Sequence, residues 1–161
     1  MRTAILTVST SVSARRAEDR SGPALAARAE GAGCEIAAME VVPDDLALIE
    51  DRLRHYVDER FDVILTTGGT GFTPDDVTPE ATRAVIDREA PGIAEAMRAL
   101  SLGHTPMAVL SRAVSGIAGA TLIVNFPGNP KAVDETFGVL EAVLPHAVRT
   151  LRGDSKHAGG H

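Results

Sequence analysis

The chain has 161 residues, 44% hydrophobic and 24% charged, which suits one globular domain and excludes an intrinsically disordered class. Aromatic residues make up only 3% and the net charge is −6, so broad capture of nucleic acid by phosphate neutralisation and base stacking is excluded. No apolar run reaches the ~18 residues of a membrane span, and the lone Cys34 excludes an intrachain disulfide. The expectation is a cytoplasmic chain with no membrane partner. It has a single domain over residues 1–152 and a flexible polar tail over 153–161.

In chain order, residues 3–9 (TAILTVS) read as a buried first strand. A Ser- and Arg-rich loop runs to Ser21, which is expected to cap a helix ending near Gly31 and Gly33. Glu35–Val42 is the second strand. Pro43, Asp44 and Asp45 break it, and one aspartate caps the next helix, whose apolar positions Leu46, Ile49, Leu53, Tyr56 and Val57 recur at helical spacing. The apolar run in residues 62–67 (DVILTT) implies a third strand buried on both faces, as in a parallel sheet.

A glycine-rich loop over residues 68–77 leads to Thr78 and Pro79, a cap and first-turn proline for a helix running to Glu89. Pro91 opens another helix with Ile93, Met97 and Leu100 on one face. Residues 108–111 are a short strand candidate, and Thr121–Phe126 is a strong one. Asn129 and Pro130 open one last helix carrying Val133, Phe137, Leu140, Leu144 and Val148. This alternation predicts a three-layer α/β/α domain with a mostly parallel central sheet. In such sheets ligands bind beyond the C-terminal strand ends.

Four strand-exit loops carry the unusual residues. In Gly68-Gly69-Thr70-Gly71 the glycines let backbone amides approach an anion, at the start of a helix. Two Thr-Pro pairs stiffen the segment around Asp75 and Asp76; a carboxylate beside a phosphate loop fits a shared Mg²⁺. Asp44 sits at another exit, Ser9 at the first. Pro127, Gly128, Asn129 and Lys131 follow the strongest strand, and Ser111 with Arg112 adds a hydroxyl and a guanidinium. For each loop a plain turn or cap is the alternative. The five histidines are scattered and no G-x-S-x-G motif occurs, so zinc and serine-hydrolase chemistry lack support.

Taken together, TTGGTGFTPDDVTPEATRAVIDREAPG, LSRAVSG, TLIVNFPGNPKAV, VVPDD and the AILTVS…SVSARRAEDRSGP start resemble the molybdopterin adenylyltransferases, the Mog family shared with the gephyrin G domain. The resemblance spans residues 3–151. It implies the molybdopterin-binding fold, a homotrimer, and Mg²⁺-dependent transfer of AMP from ATP to molybdopterin with release of pyrophosphate. It also implies hand-over to a molybdenum insertase. It assigns the acidic roles, catalytic and metal-binding, to Asp44 and Asp76. The substrate loops fall on Ser9, on Gly68, Gly69, Thr70 and Gly71 with Pro74, on Ser111 and Arg112, and on Pro127, Gly128, Asn129 and Lys131. One position departs: the family's first loop usually reads TVSD, and this chain has Thr10 after Ser9.

A phosphate monoester has a second pKa near 6 and is largely dianionic at pH 7, so this transfer needs no general base. The absence of a histidine constellation fits that chemistry. With so few rings, the pterin is expected to rest on backbone and aliphatic contacts rather than stacking. Two alternatives stay open: a carrier of the same fold that binds molybdopterin without adenylylating it, and a scaffold whose assembly matters more than any site.

Overall fold

A computed structural model describes residues 1–154. They form strands β1 (Arg2–Val8), β2 (Glu35–Val42), β3 (Val63–Thr67), β4 (Arg88–Glu89), β5 (Ser115–Ala118) and β6 (Thr121–Phe126). The helices are α1 (Thr10–Ser13), α2 (Ser21–Gly31), α3 (Leu46–Asp58), α4 (Thr78–Val85), α5 (Pro91–Leu102), α6 (Pro130–Glu141) and α7 (Leu144–Leu151), with a 3-10 helix at Pro106–Leu110. One sheet contains all six strands in the order β2-β1-β3-β6-β5-β4. The first four are mutually parallel, and β5 runs antiparallel to both of its neighbours. The mostly parallel sheet and its α/β/α layering are as the sequence predicts.

The two faces of the sheet sort by residue parity. Ile5, Val63, Leu65 and Val124 point into one core with Leu25, Phe137, Leu140, Leu144 and Val148 from α2, α6 and α7. Ala4, Leu6, Val8, Ile64 and Ile123 point into the other, under Ile49, Leu53 and Tyr56 of α3 and Ala81 and Val85 of α4. Apolar side chains at successive positions are what a strand covered on both faces requires. Each fully buried Leu or Ile here contributes about 1.5–3 kcal/mol relative to exposure.

Several local expectations are corrected. The first loop contains the single-turn helix α1, capped by Ser9, whose Oγ accepts from the Val12 N–H at 3.3 Å. Ser21 does not cap α2; it is the first helical residue, and the Asp19 carboxylate takes the Gly22 N–H instead, at 2.9 Å. Thr78 likewise opens α4 rather than capping it. That helix stops at Val85, because Arg88–Glu89 extends to pair with β5, a strand missed in the sequence. The strand expected at 108–111 is replaced by the 3-10 helix, for which Pro106 in the first turn is suited. The last helix is two, α6 and α7, with Pro145 in the first turn of the second. Asp45 and Asn129 do cap α3 and α6. The expected tail, with His157 and His161, lies outside the described residues from 155 onward. Among those described, no helix is long and apolar enough to cross a membrane.

The end of α7 is tied to the start of β3. Arg152 donates from Nε and Nη2 to Asp62 at 2.9 and 2.6 Å, and the Arg2 N–H adds a third bond at 2.7 Å. Burial pushes the Asp62 carboxyl up, but the Arg152 and Arg2 bonds outweigh it and hold it below the usual carboxylate range. A depressed folded pKa contributes stability above the unfolded value and loses it as pH falls. Arg152→Ala is therefore expected to lower the melting temperature at pH 7, by an amount corresponding to less than about 1 kcal/mol for this partly exposed pair. The gap to the parent should begin to narrow near about pH 4 and close further as pH falls through the lowered folded pKa of Asp62. Paired thermal melts at pH 7 and pH 3 check this.

Candidate functional site

The parallel strands β1, β3 and β6 all end at one edge, so the loops after them are neighbours. The loop after β3 begins with Gly68 and Gly69 at φ +96° and +68°, conformations that favour glycine. A Cβ on Gly68 would lie 2.3 Å from the Val8 carbonyl oxygen, and one on Gly128 would lie 3.1 Å from the Gly68 Cα. Three strand exits thus meet with no room for side chains.

Behind this loop runs a buried polar chain. Asn125 of β6 is fully buried; its Oδ1 accepts from the Val114 N–H at 3.0 Å. Its Nδ2 donates to the hydroxyls of Thr66 and Thr82 at 2.9 and 3.0 Å. Thr82 donates to the Thr78 carbonyl, and Thr78 donates to the Gly68 carbonyl, each at 2.9 Å.

The result is a loop whose four successive carbonyls are all taken. Gly68 O accepts from the Thr78 hydroxyl, Gly69 O from the Thr78 N–H, Thr70 O from the Arg112 N–H, and Gly71 O from Arg112 Nε at 2.8 Å. Among the described residues, the amides of Gly69, Thr70 and Gly71 have no protein acceptor. Successive backbone N–H groups left free in this way form an anion-binding concavity. Arg112 also donates to the Asp76 carbonyl and pairs with Glu80, whose carboxyl that guanidinium holds below its usual range. Arg112 therefore braces the loop from inside.

Two cavities flank the loop. The larger, about 430 Å³, lies within the range of small-molecule sites. It gathers Thr70, Gly71, Asp76, Ser111, Pro127 and Asn129 from the expected set. Its walls are otherwise largely aliphatic, from α5, α6 and the 3-10 helix. Phe72, 66% exposed, is the single ring among its lining residues, as the low aromatic content implies. The smaller cavity, about 250 Å³, is more polar and gathers Ser9, Gly68 and Gly128.

Asp44, Gly69, Pro74, Arg112 and Lys131 line neither cavity. Lys131 reaches back to Glu135 at 3.8 Å. Asp44 Oδ2 accepts from the Thr10 N–H at 3.0 Å and from its hydroxyl at 2.9 Å. Asp76 Oδ2 accepts from the Thr73 N–H at 3.0 Å, which folds the carboxylate back over the loop.

Sequence reasoning missed Arg98, Ser101, Glu135 and Thr136 in the larger cavity, and Glu18 and Asp19 in the smaller. A signal existed for the first pair. Arg98 and Ser101 stand at i and i+3, a short polar stripe beside the apolar one.

Among the described residues no three acids, histidines or cysteines cluster, so there is no all-protein metal cage. Mg²⁺ does not need one, since one or two carboxylates with substrate phosphates and water suffice. Asp76 fits that requirement: its Oδ1 has no protein donor, and it stands at the cavity wall beside the free amides. Asp44 also keeps one oxygen without a donor.

Comparison with known proteins adds an independent finding. Residues 4–146 match the family described as the probable molybdopterin binding domain. The chain is 45% identical over 135 residues to the molybdopterin adenylyltransferase of Haemophilus influenzae, covering 82% of this chain and 68% of that one. It is 50% identical over 115 residues to the molybdenum cofactor synthesis protein cinnamon of Drosophila melanogaster. That match covers 71% of this chain but only 19% of the fly protein, so the chain spans about a fifth of that relative. The crystal structure of the molybdopterin biosynthesis enzyme MoaB from Thermus thermophilus superposes with a TM-score of 0.89 at 47% identity, over 94% and 96% of the two chains.

Replacing Asn125 by Ala leaves the Val114 N–H without its side-chain acceptor and two threonine hydroxyls without their donor. The expected loss is about 3 kcal/mol of unfolding free energy, measured by denaturant titration.

Proposed function

The chain belongs to the probable molybdopterin binding domain family of molybdenum cofactor biosynthesis, and on that premise we propose that it is a molybdopterin adenylyltransferase. It joins AMP from ATP to the terminal phosphate of molybdopterin and releases pyrophosphate. The observation that carries this reading is the loop of free amides at Gly69, Thr70 and Gly71, reaching both cavities through Gly68 on one side and Gly71 on the other.

In this reading the larger, mostly aliphatic cavity takes the pterin, between the Ser111 side and Pro127 with Asn129. The smaller polar cavity takes the nucleotide, bordered by Ser9 and Gly128. The two substrates meet at the glycine loop. An oxygen of the pterin phosphate attacks the α-phosphorus of ATP, and the bond from that phosphorus to the β-bridging oxygen breaks. The chain contributes alignment and charge neutralisation rather than proton transfer. The loop amides hold phosphate oxygens in place. Asp76, with Asp44, holds Mg²⁺, which when bound neutralises the charge developing on the leaving pyrophosphate. The same reading carries a homotrimer and hand-over of the adenylylated pterin to a molybdenum insertase.

One observation favours the carrier reading instead. Thr10 occupies an oxygen of Asp44 with both its amide and its hydroxyl, which reduces what that carboxylate offers a metal. Asp76→Ala separates the two readings. It is expected to lower pyrophosphate release at saturating Mg-ATP by at least about 100-fold, with molybdopterin affinity changed by less than about threefold. Near-normal turnover of the variant overturns the role given to Asp76.

A further inference from the structure

We propose that Arg98 is a substrate-binding residue whose guanidinium grips the phosphate monoester of the pterin. This rests on the reading that the larger cavity holds molybdopterin.

Arg98 projects from α5 and is the one cationic side chain among the residues lining that cavity, which also include the acids Asp76 and Glu135. Its Nη1 donates to the Ala113 carbonyl at 2.8 Å and, more weakly, to that of Ser111 at 3.5 Å. Those bonds lock one edge of the guanidinium against the segment leading into β5. The other edge, Nε with Nη2, is the fork that recognises planar oxyanions.

The same molecule shows how that fork is used. Arg52 turns Nε and Nη2 on the two oxygens of Glu40, at 3.0 and 2.5 Å. Arg152 does the same to Asp62, at 2.9 and 2.6 Å. In Arg98 these two nitrogens have no partner, and the residue makes no salt bridge among the described residues. Yet among the described residues no side-chain nitrogen or oxygen is both buried and unbonded. The Arg98 fork is therefore open to solvent, on a residue that lines the cavity.

A guanidinium held by one edge at a cavity wall, with its fork hydrated and tied to no carboxylate, can take an oxyanion without breaking an ion pair. An incoming oxyanion completes it. In the proposed pair of substrates that oxyanion is either the pterin phosphate or a phosphate of ATP; the cavity Arg98 lines favours the pterin.

The test compares binding of molybdopterin, of its dephosphorylated form and of Mg-ATP to the intact chain. The variants are Arg98→Met, which keeps an unbranched apolar stem, and Arg98→Lys, which keeps the charge without the fork. Arg98→Met is expected to weaken phosphorylated pterin by about 10–100-fold, and the dephosphorylated form and Mg-ATP by less than about twofold. Arg98→Lys should recover part of that loss and remain at least about fivefold weak. Thermal melts of the unliganded variants report any cost of releasing the Ala113 carbonyl. Equal losses for both pterins, no loss for either, or a loss confined to Mg-ATP overturns the proposal. Failure of the parent chain to bind molybdopterin at all would instead sink the functional reading on which it rests.

Discussion

The Asn125 side chain is the constraint from which the site follows. Its position in β6 pairs with Thr66 of β3 across the parallel ladder, in the part of the sheet where water cannot enter. A buried amide must find partners, since an unsatisfied one costs about 1–3 kcal/mol. Asn125 finds three, on β3, on α4 and on the segment before β5. Its own N–H meets the Val114 carbonyl as well, at 2.9 Å. Thr82 and Thr78 pass the connection to the Gly68 carbonyl. The glycine loop is thereby attached from behind, through carbonyls, and its amides are left facing away from the protein's own acceptors.

That asymmetry resolves an apparent conflict in the charge. A chain of net charge −6 repels anions at long range, and at physiological salt that field is screened beyond about 8 Å. In the proposed reading, recognition of a phosphate is then a matter of contact: free amides, a guanidinium edge and a carboxylate that invites a divalent cation. Arg112, the cation that the motif brought forward, is spent on bracing the loop, while Arg98, from a helix that reads as packing, carries the open donors. On the proposed roles, phosphate binding and loop rigidity fall to different arginines.

The sheet and its two cores were legible because burial on both faces leaves an unbroken apolar run, as at Val63, Ile64 and Leu65. The glycine loop was legible because positive φ and close backbone approach admit only glycine at reasonable cost. Less legible were β4 and β5, short antiparallel strands of mixed composition whose pairing is set by tertiary contact rather than by pattern. Side-chain commitments were not legible at all. Nothing in the spacing tells that Asp44 is bonded to Thr10 or that Asn125 rather than Asn129 holds the loop. Those outcomes depend on residues 30 and more positions away, or on rotamers, and only the assembled fold fixes them.

The central claim is that the amide loop aligns two phosphates for transfer rather than storing one. A single-turnover reaction with ATP labelled on the α-phosphate, Mg²⁺ and molybdopterin tests it most directly. The account predicts label in the pterin product, one equivalent per pyrophosphate released. Tight pterin binding with all label remaining in ATP would contradict it and identify the chain as a carrier.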